Sequence, residues 1–163
     1  MASEPKKGCL AKALCYPVVV FSQCLNPPRL SQDSILYWYI PFAGGASYTA
    51  FSIHIFNPKS LASLFPNGNH MVANMLLFNT HLGAGLYLFN RRHLALAPTH
   101  YRLMYSVYGA VIFNFGSILL WALSKVVLPE NAWVRGSCAV SASLAMLLIG
   151  REYVNYVDSK IKK

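Results

Sequence analysis

Four long apolar runs, at 35–56, 71–89, 103–128 and 133–153, constrain this chain more than any other feature. A helix needs roughly 20 residues to cross about 30 Å of hydrocarbon, so each run has the length of a membrane span. The runs do not alternate apolar with polar residues, which argues against the strands of a membrane barrel. Nor can they fold together into one water-soluble core. The chain has 163 residues, 55% hydrophobic and only 12% charged, whereas a soluble domain is about 25% charged. Too little polar surface would remain to cover such an interior. The sequence therefore predicts an all-α integral membrane protein, with four transmembrane helices in an antiparallel bundle. A soluble enzyme, a disordered chain and a disulfide-stapled secreted domain are excluded.

The connections agree. Asn57-Pro58, the Phe65-Pro66-Asn67-Gly68 stretch, Arg91 to Pro98, and Leu128-Pro129 are all turn or helix-ending chemistry. Thr99 is a candidate N-cap for the third helix, and Pro41 with Gly44-Gly45 is expected to kink the first. The chain divides into an N-terminal segment (1–34), a transmembrane domain (35–156) and a basic C-terminal tail (157–163). Within the first segment, residues 10–25 are too short and too interrupted by Lys12 and Pro17 for a confident span. They read as an interfacial or re-entrant piece that is retained in the mature protein.

The net charge is +9, and its distribution matters more than its size. Lys6, Lys7, Lys12, Arg29, Arg91, Arg92, Arg102, Arg151, Lys160, Lys162 and Lys163 fall on one side of a four-span topology. Lys59, Lys125 and Arg135 fall on the other. This bias places both termini on the positive side, matrix or cytosolic, and suits contact with anionic lipid head groups. Basic residues used in this way do not call for nucleic acid as a partner. Cys9, Cys15, Cys24 and Cys138 have no metal-ligand spacing and read as free thiols. Cys9, Cys15 and Cys24 are also S-acylation candidates.

Two kinds of residue inside the runs carry a possible function. Small residues let helix backbones approach closely, which drives association where the hydrophobic effect no longer does. Gly44 and Gly45, Gly83 and Gly85, and the Ser137, Ser141, Ala145 stripe supply them, for packing within the bundle or against another protein's helices. Intramembrane polar groups are the second kind. His81 sits near the middle of its run, with Asn74 one heptad before it and Asn114 at a similar expected depth. A neutral His81 bonded to Asn114 or to a backbone carbonyl is the structural reading, and a proton relay or ligand contact the functional one.

Other chemistry lacks material. No second histidine shares the depth of His81, so haem held by two histidines of this chain is not expected. His54 and His70 could meet at one surface, but without carboxylates or cysteines they make a poor metal site. Glu4, Asp33, Glu130, Glu152 and Asp158 all lie in termini or at run boundaries, and Arg151-Glu152 reads as an interfacial ion pair. The sequence contains no hydrolase or phosphate-loop motif.

In layout alone the chain resembles small four-span accessory proteins of organellar membranes. The expectation is a non-enzymatic accessory subunit or assembly factor of a larger membrane complex, without cofactor or metal, partnered by other integral membrane subunits and by lipid. The mitochondrial inner membrane is the expected location and the endoplasmic reticulum the alternative. The competing functions are a small transporter or channel with a polar path around His81 and Asn114, and a protein that handles lipid, quinone or haem.

Overall fold

The computed structural model describes residues 29, 31–59, 63 and 68–161, and these are helical without any strand. Residues 10–25, the expected interfacial or re-entrant segment, lie outside them. A short turn (Gln32–Ser34) and a π-helical turn (Ile35–Tyr39) lead without a break into α1 (Ile40–Phe56). Helices α2 (Asn69–Phe89), α3 (Arg92–Ala95), α4 (Thr99–Val127) and α5 (Ala132–Lys160) follow. Both α4 and α5 are long and apolar enough to cross a membrane. At 1.5 Å per residue each is roughly 44 Å long, well beyond the hydrocarbon thickness.

Local chemistry explains the boundaries. Pro41 has no N–H to bond back into the helix, and the wider π-helical turn immediately before it takes up the misfit. Thr99 proves to be the first helical residue of α4, not its cap. Pro98 holds the cap position with an extended ψ of 147° and no side-chain bond. Leu128 is extended because Pro129 follows it, which ends α4. Arg135 reaches back from α5 to donate to the carbonyls of Pro129 (3.0 Å) and Leu128 (3.3 Å). Asn131 caps α5 by accepting from the Trp133 N–H at 3.0 Å. Helix α5 continues past residue 157, so the described part of the basic tail is helical as far as Lys160.

Helix α1 packs against α2, α4 and α5, and α2 packs against α4. Specific pairs set the register. Gly44 meets Gly83 and Ser47 meets Asn79 across α1 and α2; Gly45 meets Leu147 and Ser52 meets Ala139 across α1 and α5. Across α2 and α4, Gly85 meets Ala110 and Leu88 meets Gly109. The core cluster is Tyr48, Phe51, Phe56, Ala73, Trp121 and Ala139.

Beside this core the interior also takes in small polar side chains, while many large apolar ones face outward. Ser47, Ser52, Thr80, Ser106, Asn114, Ser117 and Ser143 are buried, while Phe78, Leu103, Ile112, Phe115, Leu119 and Leu123 are exposed. The buried hydroxyls tolerate this because they bond to carbonyls one helical turn back. Thr80 donates to Leu76 O (2.7 Å), Ser106 to Arg102 O (2.7 Å) and Ser117 to Phe113 O (2.6 Å).

Candidate functional site

Among the described glycines, the closest backbone-to-backbone approach lies between α1 and α2. A Cβ built on Gly44 would stand 2.7 Å from Gly83 Cα, and the reciprocal distance is the same. Glycine at both positions lets the helices touch. One turn away, Asn79 Nδ2 donates to Ser47 Oγ at 2.7 Å and reaches the Ala43 carbonyl at 3.4 Å. Close approach plus an interhelical polar bond is the pairing that holds helices together in lipid. The other two predicted glycines make looser contacts: Gly45 faces a Leu147 methyl at 3.8 Å and Gly85 the Ala110 Cβ at 3.9 Å.

Two further polar links cross the interior. The Tyr48 hydroxyl donates to Ser117 Oγ at 2.7 Å, and its ring lies against Phe113 and Trp121. Ser52 Oγ is shared between the carbonyls of Thr49 (2.8 Å) and Ala139 (3.1 Å). Neither link was evident from the sequence, which singles out neither Tyr48 nor Ser52. The one available signal was spacing: Asn79 sits one turn before Gly83, on the same stripe of α2.

His81, Asn74 and Asn114 do not converge. Asn74 is exposed. His81 Nδ1 lies 2.8 Å from the Leu77 carbonyl of its own helix. A carbonyl only accepts, so Nδ1 carries the proton in that bond. The ring packs edge-on against Phe115, whose neighbour Asn114 points about 100° away around α4. Asn114 is only 1% exposed, and neither its Oδ1 nor its Nδ2 has a hydrogen-bond partner. A buried amide left unbonded is unfavourable, by about 1–3 kcal/mol in mutational data. Trp121 Nε1 and His54 Nδ1 are likewise buried and unbonded.

The small-residue stripe of α5 divides. Ala139 and Ser143 are fully buried, whereas Ser137, Ser141 and Ala145 are exposed on another face of the same helix. Cys138 is a free, half-buried thiol.

At the basic end, Asp158 ties α3 to the last turn of α5. Its Oδ1 accepts from His93 Nδ1 (2.7 Å) and from the His93 backbone N–H (3.0 Å). Arg91 Nη1 stands 3.8 Å from Oδ2 and donates to Asn155 Oδ1 at 3.1 Å. Burial by itself would raise the Asp158 carboxyl. The two His93 bonds and the charges of His93 and Arg91 outweigh it and hold the group below the usual carboxylate range. The expected Arg151–Glu152 pair does not form, because adjacent helical residues diverge; among the described residues every ion pair ends on Asp158.

Among the described residues no three His, Cys, Asp or Glu side chains gather where a metal could be held. No family model matches the chain, and neither a curated protein nor a solved structure shows significant similarity to it.

Proposed function

We propose that this chain is a non-enzymatic accessory subunit or assembly factor of a larger membrane complex, crossing the membrane four times as an antiparallel bundle with both termini on the basic side. The register pairs between α1 and α2, α2 and α4, and α1 and α5 support that bundle, since in each the residue numbers rise along one helix as they fall along the other. The outward face supports a lipid surround: many large apolar side chains are exposed, while several hydroxyls are buried beside the aromatic core.

The observation that carries the partner role is the outward Ser137, Ser141, Ala145 face of α5. Ala139 and Ser143 already serve packing inside the bundle, so the second stripe offers a close-approach surface to a helix from another subunit. The mitochondrial inner membrane suits the basicity, with the endoplasmic reticulum as alternative. The test is extraction in mild detergent, followed by particle mass and identification of co-purifying chains. A large particle with stoichiometric membrane partners supports the role, and a particle holding this chain alone overturns it.

A transporter or channel reading remains because of one observation, the unsatisfied Asn114 amide in the interior. Flux through reconstituted vesicles that disappears in Asn114→Ala or His81→Ala would move the function to that reading.

A further inference from the structure

The outer face of α4 carries two shallow apolar grooves that share one wall. Leu103, Val107 and Val111 form a ridge along the helix, as residues four apart on one face do. On one side the ridge and the His100, Met104, Tyr108 row of the same helix border an open furrow on the α4 surface. On the other, the ridge faces α2, where Phe78, Leu82, Leu86 and Phe89 line a groove of about 240 Å³ with His81 beside them.

Both grooves have the dimensions of one bilayer leaflet. From His100 to Val111 the helix rises roughly 16 Å at 1.5 Å per residue. Half of a hydrocarbon core about 30 Å thick is about 15 Å. Their shared upper end is basic. Arg102 stacks over the Phe89 ring at 4.1 Å and donates Nε to the Phe89 carbonyl at 2.6 Å, so its guanidinium stands at the head of the second groove. His100 heads the first, and Arg92 is exposed in the adjoining α3. Asp158 takes up His93 and Arg91, but no ion pair among the described residues involves Arg92, His100 or Arg102.

We propose that the grooves hold the two acyl chains of one anionic diacyl phospholipid, astride the Leu103–Val107–Val111 ridge, with its phosphate at the Arg92, His100 and Arg102 end. The proposal rests on the membrane-spanning reading above. Paired grooves match paired chains, leaflet-length walls match chain length, and the Arg92 and Arg102 guanidinium groups, in no ion pair among the described residues, match the phosphate. A helix of a protein partner would fill one groove and meet the ridge, and it would leave the cations unused.

The full chain, purified in mild detergent, is titrated with phosphatidylglycerol, with phosphatidylcholine of the same acyl chains, and with the single-chain lysophosphatidylglycerol, and bound lipid is counted by native mass spectrometry. One phosphatidylglycerol per chain is expected, retained at least about fivefold better than phosphatidylcholine, since a basic residue near the head group is worth about that factor. Val107→Trp fills both grooves from an exposed position and should abolish retention, whereas Leu119→Trp further along the same helix should not. Arg102→Gln should bring the preference down towards phosphatidylcholine. Arg92→Gln, at an exposed residue, gives the same readout should the Arg102 variant fail to fold. Equal retention of the two diacyl lipids, lysolipid binding as tight as diacyl, or an unaffected Val107→Trp would each overturn the site. Release of the protein from membranes by alkaline carbonate would overturn the spanning reading itself, and the site with it. A chain that resists carbonate but shows no lipid preference overturns the site alone.

Discussion

Gly44 and Gly83 meet backbone to backbone, with room for a side chain on neither: a Cβ on one would lie 2.7 Å from the other's Cα. No side-chain rotation relieves such a contact, so Gly44→Ala or Gly83→Ala must push α1 and α2 apart and strain the Asn79–Ser47 bond one turn away. Overpacking of this kind is expected to destabilise by about 1–3 kcal/mol, against about 1 kcal/mol recovered from helix propensity. Thermal unfolding in detergent checks it, with Gly116→Ala as the control. Nothing lies within 4 Å of a Cβ at Gly116, so that variant should melt at the same temperature as wild type or higher.

The Asn114 amide makes the opposite prediction. Both of its polar atoms are buried and unbonded, so Asn114→Leu, which keeps the same branched side-chain skeleton, removes a desolvation penalty without removing a bond. Stability should rise by about 1 kcal/mol or more. A fall of that size in the same melting experiment would mean that the amide has a partner in the membrane, and would favour the transporter reading.

Tyr48→Phe removes the one hydroxyl that links α1 to Ser117 while keeping the ring contacts with Phe113 and Trp121. Ser117 keeps its own bond to the Phe113 carbonyl, so no donor is stranded. A loss of about 0.6 kcal/mol is expected, the average for interhelical bonds in a membrane. A loss above about 2 kcal/mol would show that the bond belongs to a larger network.

Asp158, in the polar last turn of α5, sets a pH dependence. Its folded-state carboxyl lies below the usual range, so the stability it contributes is fully present above the unfolded value of about 3.9. That contribution is lost as pH falls through the lowered folded value. From about pH 4 downward the hold of Asp158 on the Arg91–Leu94 segment should therefore weaken, and the segment should detach from the end of α5 once the lowered folded value is passed. Hydrogen exchange at His93, corrected for its intrinsic pH dependence, should accelerate there in wild type. In Asp158→Asn it should be fast at every pH, and protection equal to wild type would refute the tie.

The long helices and the end of α4 were legible from the sequence because they depend on local terms: apolar length, and Pro129 after Leu128. Helix facing was not. A heptad puts Asn74 and His81 on one side of α2, but nothing local says whether that side meets α4. In the structure Asn74 is exposed and His81 turns towards Phe115. Asn114, one residue from Phe115, points inward instead. The same ambiguity governs α5, whose small residues fall on two interleaved stripes that composition cannot tell apart. Only the contact with α1, through Ser52 and the Ala139 carbonyl, selects the Ala139–Ser143 face for the interior.

Those two stripes allow the partner role to be separated from the fold. Ser141 and Ser143 are two residues apart, hence about 160° apart around the helix, one exposed and the other fully buried. Ser143→Leu adds bulk where no space exists and should lower the melting temperature of the isolated chain. Ser141→Leu adds an apolar side chain to an outer face and should leave that temperature unchanged. If the outer stripe seats a partner helix, Ser141→Leu will still insert in membranes and still fold, yet its detergent particle will shrink to the mass of this chain. Ala145→Leu, one turn further along the same stripe, should do likewise, while Leu144→Ala on a neighbouring exposed position should not. Particles of unchanged mass in both stripe variants would remove the observation on which the accessory role rests.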